Sequence, residues 1–394
     1  MQNIPYGRQE IDQADIDAVV QVLRSDFLTQ GPAVPRFEQG LAAYCGARHA
    51  YAMNSATSAL HIACLALGVR PGDLVWTSPV TFVASANCAL YCGADVDFVD
   101  IDPATWNMSP AALRSKLEAA RAAGRLPKVV IPVHLCGLSC DMAAIHALGQ
   151  EYGFRIIEDA SHAVGGRYQG EPVGSCRYSD VTVLSFHPVK IITTAEGGMA
   201  LTNDPKVGAA IDLLRSHGIT RDPSRMEKKP DGPWYYEQIG LGFNYRLTDL
   251  QAALGASQLR RIDEFVARRH AIADRYDALF AGWPLQLPVR PAGSYSGLHL
   301  YVVRVKPQAA RSPLEVFNGL REAGIGVNLH YMPVYLQPYY RRLGFAPGLC
   351  PQAEAYYGEA ISLPMYPGMD DTQQDRVVAA LGALVGAPQP GERT

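Results

Sequence analysis

The stretch that best indicates the fold is Val181-Thr182-Val183-Leu184-Ser185-Phe186-His187-Pro188-Val189-Lys190. Its apolar part, residues 181–186, predicts a buried strand, and α/β folds bind ligands where such strands end. A lysine among apolar and hydroxyl residues can lose its charge, and a neutral amine forms an imine with an aldehyde. A lone lysine at a strand end is also a common solvated surface group, so the surrounding segments must decide.

Strands and helices alternate on both sides of this stretch. The predicted strands are 74–77, 97–99, 129–133, 155–158, 181–186 and 199–202, and helices are predicted at 110–123 and 142–152. Such alternation predicts an α/β domain with a largely parallel sheet covered on both faces.

The pattern changes after Thr248. One long helix is predicted over 249–280. The segments 299–305, 313–323 and 327–331 then suggest an α+β unit, which a helix over 373–385 closes. We therefore predict a large domain over 1–260 and a smaller α+β domain over 261–394.

An acidic residue closes another apolar strand in the segment Ile156-Ile157-Glu158-Asp159-Ala160-Ser161-His162. A carboxylate at this position can keep a pyridine nitrogen protonated, which makes the ring an electron sink. The alternative is that Asp159 caps the following helix, and taken alone the segment favours that alternative.

Two further segments can likewise be interpreted either as cofactor contacts or as ordinary structural elements. Asn54-Ser55-Ala56-Thr57-Ser58 opens a helix after a strand, where free N–H groups and the helix dipole can hold a phosphate. An ordinary Ser/Thr cap explains it equally well. Phe82, in Pro79-Val80-Thr81-Phe82, can stack on a flat ring, although an aromatic in an apolar run is usually core.

The order of the four segments resolves these alternatives. A phosphate-binding helix start, a stacking aromatic, an acid and a lysine follow one another at strand ends of one α/β domain. These are the groups that a phosphorylated aldehyde cofactor needs. The chain has neither a Gly-x-Gly-x-x-Gly turn after a strand nor a Walker-type loop.

Composition excludes other classes of protein. A net charge of −3 gives no electrostatic case for nucleic acid or an anionic membrane. The uncharged run 74–94 contains Pro79 and Asn87 and predicts a strand, a turn and a helix instead of a membrane span. No basic and apolar leader is visible, so we expect a cytoplasmic protein with reduced cysteines. Cys136 and Cys140 lack the paired spacing of a zinc site, so no metal is predicted.

From residue 6 to about residue 385 the chain resembles the DegT/StrS-like sugar aminotransferases. The motifs that carry the resemblance are Asn54-Ser55-Ala56-Thr57-Ser58, Glu158-Asp159-Ala160-Ser161-His162, Ser185-Phe186-His187 with Lys190, Ala195-Glu196-Gly197-Gly198, and Gly242-Phe243-Asn244-Tyr245-Arg246-Leu247. The resemblance implies pyridoxal 5'-phosphate as cofactor and the type I fold of aspartate aminotransferase.

The resemblance also implies roles for single residues. Lys190 forms the Schiff base and shuttles the proton, Asp159 pairs with the pyridine nitrogen, and His162 lies near the ring oxygen. Phe82 stacks on the ring, and the phosphate is held by Ala56, Thr57 and Ser185. Asn244 reaches the phosphate of the neighbouring subunit, which implies a homodimer with shared active sites.

Within the family, the likeness is greatest to the aminotransferases of pseudaminic acid biosynthesis. It implies that L-glutamate donates the amine to the 4-keto group of a UDP-linked sugar. The residues implied to touch this sugar are Tyr6, Asp26, Phe27, Leu28, Thr29, Ala56, Ser185, Asn244, Asn328, Leu329, His330 and Tyr331. The loop 220–234 departs from the likeness, so another nucleotide-linked 4-keto or 3-keto deoxysugar stays open as the substrate.

Overall fold

Thirteen helices and fifteen strands form the part of the chain, residues 3–387, that the computed structural model describes. The helices are α1 (Gln13–Leu23), α2 (Ala33–Cys45), α3 (Ala56–Ala66), α4 (Ala84–Tyr91), α5 (Pro110–Ala122), α6 (Met142–Tyr152), α7 (Pro205–Arg215), α8 (Asp249–Leu259), α9 (Ile262–Leu279), α10 (Pro313–Glu322), α11 (Pro338–Arg342), α12 (Pro351–Glu359) and α13 (Asp371–Val385). The strands are β1 (His49–Met53), β2 (Leu74–Thr77), β3 (Asp95–Phe98), β4 (Val129–Ile131), β5 (Arg155–Asp159), β6 (Arg167–Tyr168), β7 (Glu171–Pro172), β8 (Val181–Ser185), β9 (Gly198–Thr202), β10 (Ile219–Thr220), β11 (Glu237–Gln238), β12 (Leu285–Gln286), β13 (Ser294–Tyr295), β14 (Tyr301–Val305) and β15 (Ala360–Leu363).

The central sheet has seven strands in the order β1-β9-β8-β5-β4-β2-β3. Only β9 runs against the others, since it pairs antiparallel with both β1 and β8 while the remaining pairs are parallel. The predicted α/β domain with a mainly parallel sheet is therefore confirmed. Because six strands share one direction, their carboxyl ends meet at one edge of the sheet.

Helix α3 is placed at this edge by its first residues. The Ser55 side chain accepts a hydrogen bond from the Ser58 N–H at 3.1 Å, and this cap starts the helix directly after β1. Gly198 pairs with both Met53 and Ser185, so it lies between the ends of β1 and β8. The absence of a side chain there lets the sheet approach the first turn of α3.

A second core lies in the C-terminal part of the chain. Strands β12, β14 and β15 form a three-stranded antiparallel sheet against which α9, α10 and α13 pack. The start of the chain joins this core through Ile4, which is buried and bridges to Ile325. The division at residue 260 stays a prediction, because α9 contributes to both cores, with Phe265 in one and Tyr276 in the other.

The predicted single helix over 249–280 is wrong. Helices α8 and α9 are separated at Arg260 and Arg261. The Arg261 guanidinium pairs with Asp12 at 3.0 Å and with Asp15 at 2.6 Å, at the amino end of α1. These ion pairs attach the break between α8 and α9 to the start of α1.

The segment 327–331, which the sequence places in the α+β unit, is not a strand. Asn328 alone makes a strand-like bridge, to Ser362 at the edge of β15. The next residues leave the sheet because the His330 ring nitrogen Nδ1 bonds the Ser362 hydroxyl at 2.7 Å, and Tyr331 faces a cavity. Between residues 3 and 387, no helix is long and apolar enough to cross a membrane.

We expect Gly198→Ala to destabilise the protein. The added Cβ would lie 2.3 Å from the Ala56 nitrogen and 2.5 Å from the Ala56 Cα. Backbone atoms yield only if α3 shifts, so the free energy of unfolding should fall by about 1–3 kcal/mol. Urea denaturation followed by circular dichroism measures this change.

The matched control is Gly358→Ala in α12, where the added Cβ meets nothing within 4 Å. This substitution should alter the free energy of unfolding by less than about 1 kcal/mol, in the stabilising direction. If Gly198→Ala were as stable as the wild-type protein, the close approach would not constrain α3.

Candidate active site

A cavity of about 1070 Å³ opens at the carboxyl edge of the central sheet. It lies between strand ends and the segment that follows Val327. Most of the residues that the sequence predicts for the site line this cavity. They are Tyr6, Ala56, Thr57, Phe82, Asp159, His162, Ser185, Lys190, Asn328, Leu329, His330 and Tyr331. These residues come from distant parts of the chain, so the fold assembles most of the predicted site within one subunit.

The amino end of α3 forms one wall of the cavity. The N–H groups of Ala56 and Thr57 precede the first intrahelical hydrogen bond, so the helix itself provides them with no acceptor. The helix dipole adds about half a positive charge at this end. This wall therefore suits a phosphate group.

Asp159 lies at the end of β5 and is buried. Its Oδ2 accepts a hydrogen bond from the Ser85 hydroxyl at 2.5 Å, and its Oδ1 accepts one from the Ser161 N–H at 3.1 Å. The alternative that Asp159 caps a helix is wrong, because turns follow it, and β6 comes before any helix. The carboxylate is thus held in place while it faces the cavity.

Lys190 lies in the loop after β8 and is partly buried. Burial lowers the pKa of its amine to about 8, although the nearby Asp159 charge acts in the opposite direction. Within the described chain, no side chain forms a hydrogen bond or ion pair with Nζ. This amine therefore loses its proton at a lower pH than a solvated lysine does, which makes the neutral, reactive form easier to reach.

His162 is buried beside these two residues. Its Nδ1 accepts a hydrogen bond from the Cys136 N–H at 3.3 Å, and its Nε2 lies 3.2 Å from the Tyr331 hydroxyl oxygen. Burial, followed by the charge of Lys190, holds the pKa of His162 well below its usual value. The ring is therefore neutral.

Five predicted site residues do not line the cavity of the single chain. Asn244 is exposed, and its backbone bridges to Ser216. The segment 26–29 is exposed as well, with the side chain of Phe27 at 53%. One chain alone therefore does not bring these residues to the cavity.

Sequence reasoning missed His299, which lines the cavity and is buried. Its ring centroid lies 4.5 Å from that of His162, and burial holds its pKa well below the usual value. Its Nδ1 has no hydrogen-bond partner in the described part of the chain. The only signal in the sequence was one polar residue at the start of an apolar run.

The turn Leu135–Gly137 was also missed. The sequence predicts Cys136 as a reduced cysteine without a metal and assigns it no role in the site, yet its N–H contacts His162. A Cβ on Gly137 would lie 2.5 Å from the Leu298 nitrogen, so the turn packs directly under the segment that carries His299. Over residues 3–387, no group of three or more His, Cys, Asp or Glu residues has a geometry that could hold a metal ion.

Comparison with known proteins assigns the class. Residues 9–382 match the DegT/DnrJ/EryC1/StrS aminotransferase family, and the chain belongs to this family. It is a pyridoxal-phosphate-dependent nucleotide-sugar aminotransferase of fold type I, as the motifs predicted. The predicted cofactor and fold are thereby confirmed.

The chain is similar to several known proteins over most of its length. The chain is 40% identical to the spore coat polysaccharide biosynthesis protein SpsC of Bacillus subtilis, over 97% of both chains. It is 38% identical, over 93% of both chains, to the UDP-4-amino-4,6-dideoxy-N-acetyl-beta-L-altrosamine transaminase of Campylobacter jejuni. It is 30% identical to the solved structure of Helicobacter pylori PseC, an aminotransferase involved in pseudoaminic acid biosynthesis. The TM-score is 0.89, and the match covers 98% of this chain and 100% of PseC.

The residues present fit pyridoxal phosphate. The open end of α3 can take the phosphate, the held carboxylate of Asp159 can face a pyridine nitrogen, and Lys190 offers a reactive amine. When bound, the cofactor supplies an aldehyde that accepts an amino group and a ring that withdraws electrons.

We expect Lys190 in the cofactor-free protein to react with formaldehyde and cyanoborohydride with a midpoint near pH 8, where its lowered pKa lies. Only the neutral amine attacks an aldehyde, so the rate should rise as the pH increases through this midpoint and level off above it. Peptide mapping by mass spectrometry at several pH values measures the rate.

Asp159→Asn is the matched variant, because the Asp159 charge raises the pKa of Lys190 against the effect of burial. Its removal should move the midpoint to lower pH. The exposed Lys206 serves as an internal reference in the same digests. A midpoint above about pH 10 for Lys190, as for a solvated lysine, would contradict a desolvated amine.

Proposed function

We propose that the protein is a cytoplasmic, homodimeric aminotransferase that acts on a UDP-linked sugar. It moves the amino group of L-glutamate to the 4-keto group of UDP-2-acetamido-2,6-dideoxy-β-L-arabino-hex-4-ulose. The product is UDP-4-amino-4,6-dideoxy-N-acetyl-β-L-altrosamine, an intermediate of pseudaminic acid biosynthesis. The observation that carries the reaction type is the partly buried amine of Lys190, with its lowered pKa, near Asp159 and the open end of α3.

The choice of sugar is supported by the likeness to the Campylobacter jejuni transaminase, whose name states this product. The cavity also contains the residues implied for sugar binding, among them Tyr6 and the segment 328–331. The Tyr6 and His330 rings pack with centroids 5.5 Å apart, so the N-terminal segment and the segment 328–331 form one wall. A wall of this kind can recognise the substrate beyond its reacting carbon.

Another nucleotide-linked 4-keto or 3-keto deoxysugar is the second candidate. The observation in its favour is the higher identity, 40%, to the Bacillus subtilis spore coat polysaccharide protein, whose name states no sugar. The loop 220–234, which departs from the pseudaminic likeness, includes the exposed Trp234. Substrate recognition can differ there while the chemistry at Lys190 stays the same.

Several residues of the cavity have a proposed role toward the cofactor. Lys190 carries the cofactor and moves the proton between the two carbons that exchange the amine. Asp159, held by Ser85 and the Ser161 N–H, keeps the pyridine nitrogen protonated. Ala56, Thr57 and Ser185 hold the phosphate, Phe82 lies against the ring, and His162 lies beside the ring oxygen.

The homodimer is proposed because part of the predicted site lies outside the cavity. Asn244 and the segment 26–29 are exposed, and large apolar residues close to Asn244 in the sequence are exposed too, including Leu241 at 81% and Trp234 at 73%. Exposed apolar side chains of this size are typical of an interface. A second copy would cover them and bring its Asn244 to the phosphate of the first.

Mixed dimers test the shared site. Asn244→Ala and Lys190→Ala should each be inactive at limiting cofactor, because each lacks one of the proposed cofactor contacts. After subunit exchange at equal amounts, half of the dimers should be mixed, with one intact site of two. About one quarter of wild-type activity should therefore return.

Differently tagged subunits show whether exchange has occurred, and Lys190→Ala exchanged with itself is the control. If exchange is complete and no activity returns, Asn244 does not act across the interface. The aminotransferase assignment would survive that result.

The substrate test compares two epimers with glutamate as donor. We expect a 4-amino product from the β-L-arabino 4-keto UDP sugar with clearly higher kcat/KM than from its D-xylo epimer at carbon 5. The reason is that the pocket, and not Lys190, selects the face of the sugar. Product analysis by NMR gives the position and configuration of the amine.

Lys190→Ala is the control, and it should give no product with either sugar. Preference for the D-xylo sugar would contradict the pseudaminic assignment and leave the reaction type intact. If no sugar in a panel of UDP-, dTDP- and GDP-linked keto sugars were aminated, the proposed reaction itself would be wrong.

A further inference from the structure

The direction of one hydrogen bond in the cavity wall follows from the contacts of His162. The Cys136 N–H donates to Nδ1 of His162 at 3.3 Å. A ring nitrogen that accepts a hydrogen bond carries no proton, so the proton of the neutral ring is on Nε2. Nε2 lies 3.2 Å from the hydroxyl oxygen of Tyr331. His162 is therefore the donor in this bond, and Tyr331 is the acceptor.

The hydroxyl proton of Tyr331 is then left for another acceptor. Within residues 3–387, no second group lies at hydrogen-bond distance from this hydroxyl, and the side chain lines the cavity. Burial raises the pKa of Tyr331 above its usual value, so the phenol keeps its proton. A ligand in the cavity can therefore receive a hydrogen bond from Tyr331.

The ring of Tyr331 is held in position by its neighbours. It packs edge-on against His330, with centroids 4.9 Å apart, and lies 6.4 Å from the ring of Phe82. His330 is fixed in turn, because its Nδ1 bonds the Ser362 hydroxyl and its carbonyl accepts from Tyr356 at 2.8 Å. The donor is thus oriented before any ligand binds, which is the condition for strong stabilisation of a reacting oxygen.

The charge around Tyr331 indicates which kind of oxygen it serves. Burial, followed by the charge of Lys190, lowers the pKa values of His162, His299 and His330, that of His330 to about 4. These three rings are therefore neutral at physiological pH. A wall of neutral donors next to an amine suits an uncharged carbonyl oxygen, whereas a phosphate finds positive potential at α3.

We propose that the hydroxyl group of Tyr331 donates a hydrogen bond to the keto oxygen of the acceptor sugar and polarises its carbonyl group. This role rests on the proposed amination of a keto sugar. His162 and the Cys136 N–H are positioning groups, because they determine which way the hydroxyl of Tyr331 points.

Tyr331→Phe is the decisive variant, because it keeps the ring and removes only the donor. With the β-L-arabino 4-keto UDP sugar and glutamate, kcat/KM should fall by roughly 10- to 100-fold. The affinity for pyridoxal phosphate and the absorbance spectrum of the bound cofactor should stay those of the wild type. If the Tyr331 side chain only packed the cavity wall, Tyr331→Phe would turn over at the wild-type rate.

Tyr335→Phe is the matched control. It also removes a buried tyrosine hydroxyl in the same region, but that hydroxyl bonds Glu354 at 2.5 Å and does not face the cavity. Its kcat/KM should stay within about twofold of the wild-type value, because only structural contacts change. An equal fall in both variants would mean that the loss at Tyr331 is structural.

The direction of the hydrogen bond between His162 and Tyr331 can be tested separately. In protein labelled with ¹⁵N-histidine and free of sugar, the shifts of His162 should show a bare Nδ1 and a protonated Nε2. A proton on Nδ1 would overturn the proposal without affecting the proposed function. Wild-type turnover by Tyr331→Phe, or a changed cofactor spectrum in this variant, would also overturn it. If wild-type protein aminates no keto sugar, both proposals are wrong.

Discussion

The close contact between Gly198 and the first peptide of α3 is the constraint on which the cavity depends. Gly198 pairs with Met53 at the end of β1 and with Ser185 at the end of β8. A single residue without a side chain thus joins the helix proposed to receive the phosphate to the strand that leads to Lys190. Because β9 runs against its neighbours, its first residue and their last residues share one edge. The position of the amino end of α3 relative to the strand before Lys190 is therefore determined by backbone pairing and not by flexible side chains.

The centre of the site could be predicted from the sequence because its signals are local. Asp159 and Lys190 each follow an apolar run long enough to be a buried strand, and Ser55 starts a helix directly after a strand. Parallel strands place their carboxyl ends at one edge, so residues that follow such strands must come close together once the sheet forms. The predicted topology, and not any single motif, therefore indicates that these three segments belong to one site.

The parts that could not be predicted depend on contacts between distant residues. The break between α8 and α9 is set by Arg261, whose partner Asp15 lies on the first helix. The role of Cys136 depends on the approach of His162, which no spacing in the sequence indicates. Asn244 is a different case, because its predicted partner is a second copy of the chain. Apolar patterning reports which residues are buried, but it does not report which buried polar groups face each other.

Burial has two effects in this cavity. It lowers the pKa of Lys190 to about 8, which makes a neutral amine available near physiological pH. It is also the main reason that the pKa values of His162 and His299 lie well below the usual range, and Lys190 lowers them further when it is protonated. If these rings were cations, they would compete with the amino end of α3 for a phosphate group. The neutral state of the histidines is therefore consistent with the proposed phosphate site at α3 and with the proposed hydrogen bond from Tyr331 to an uncharged keto group.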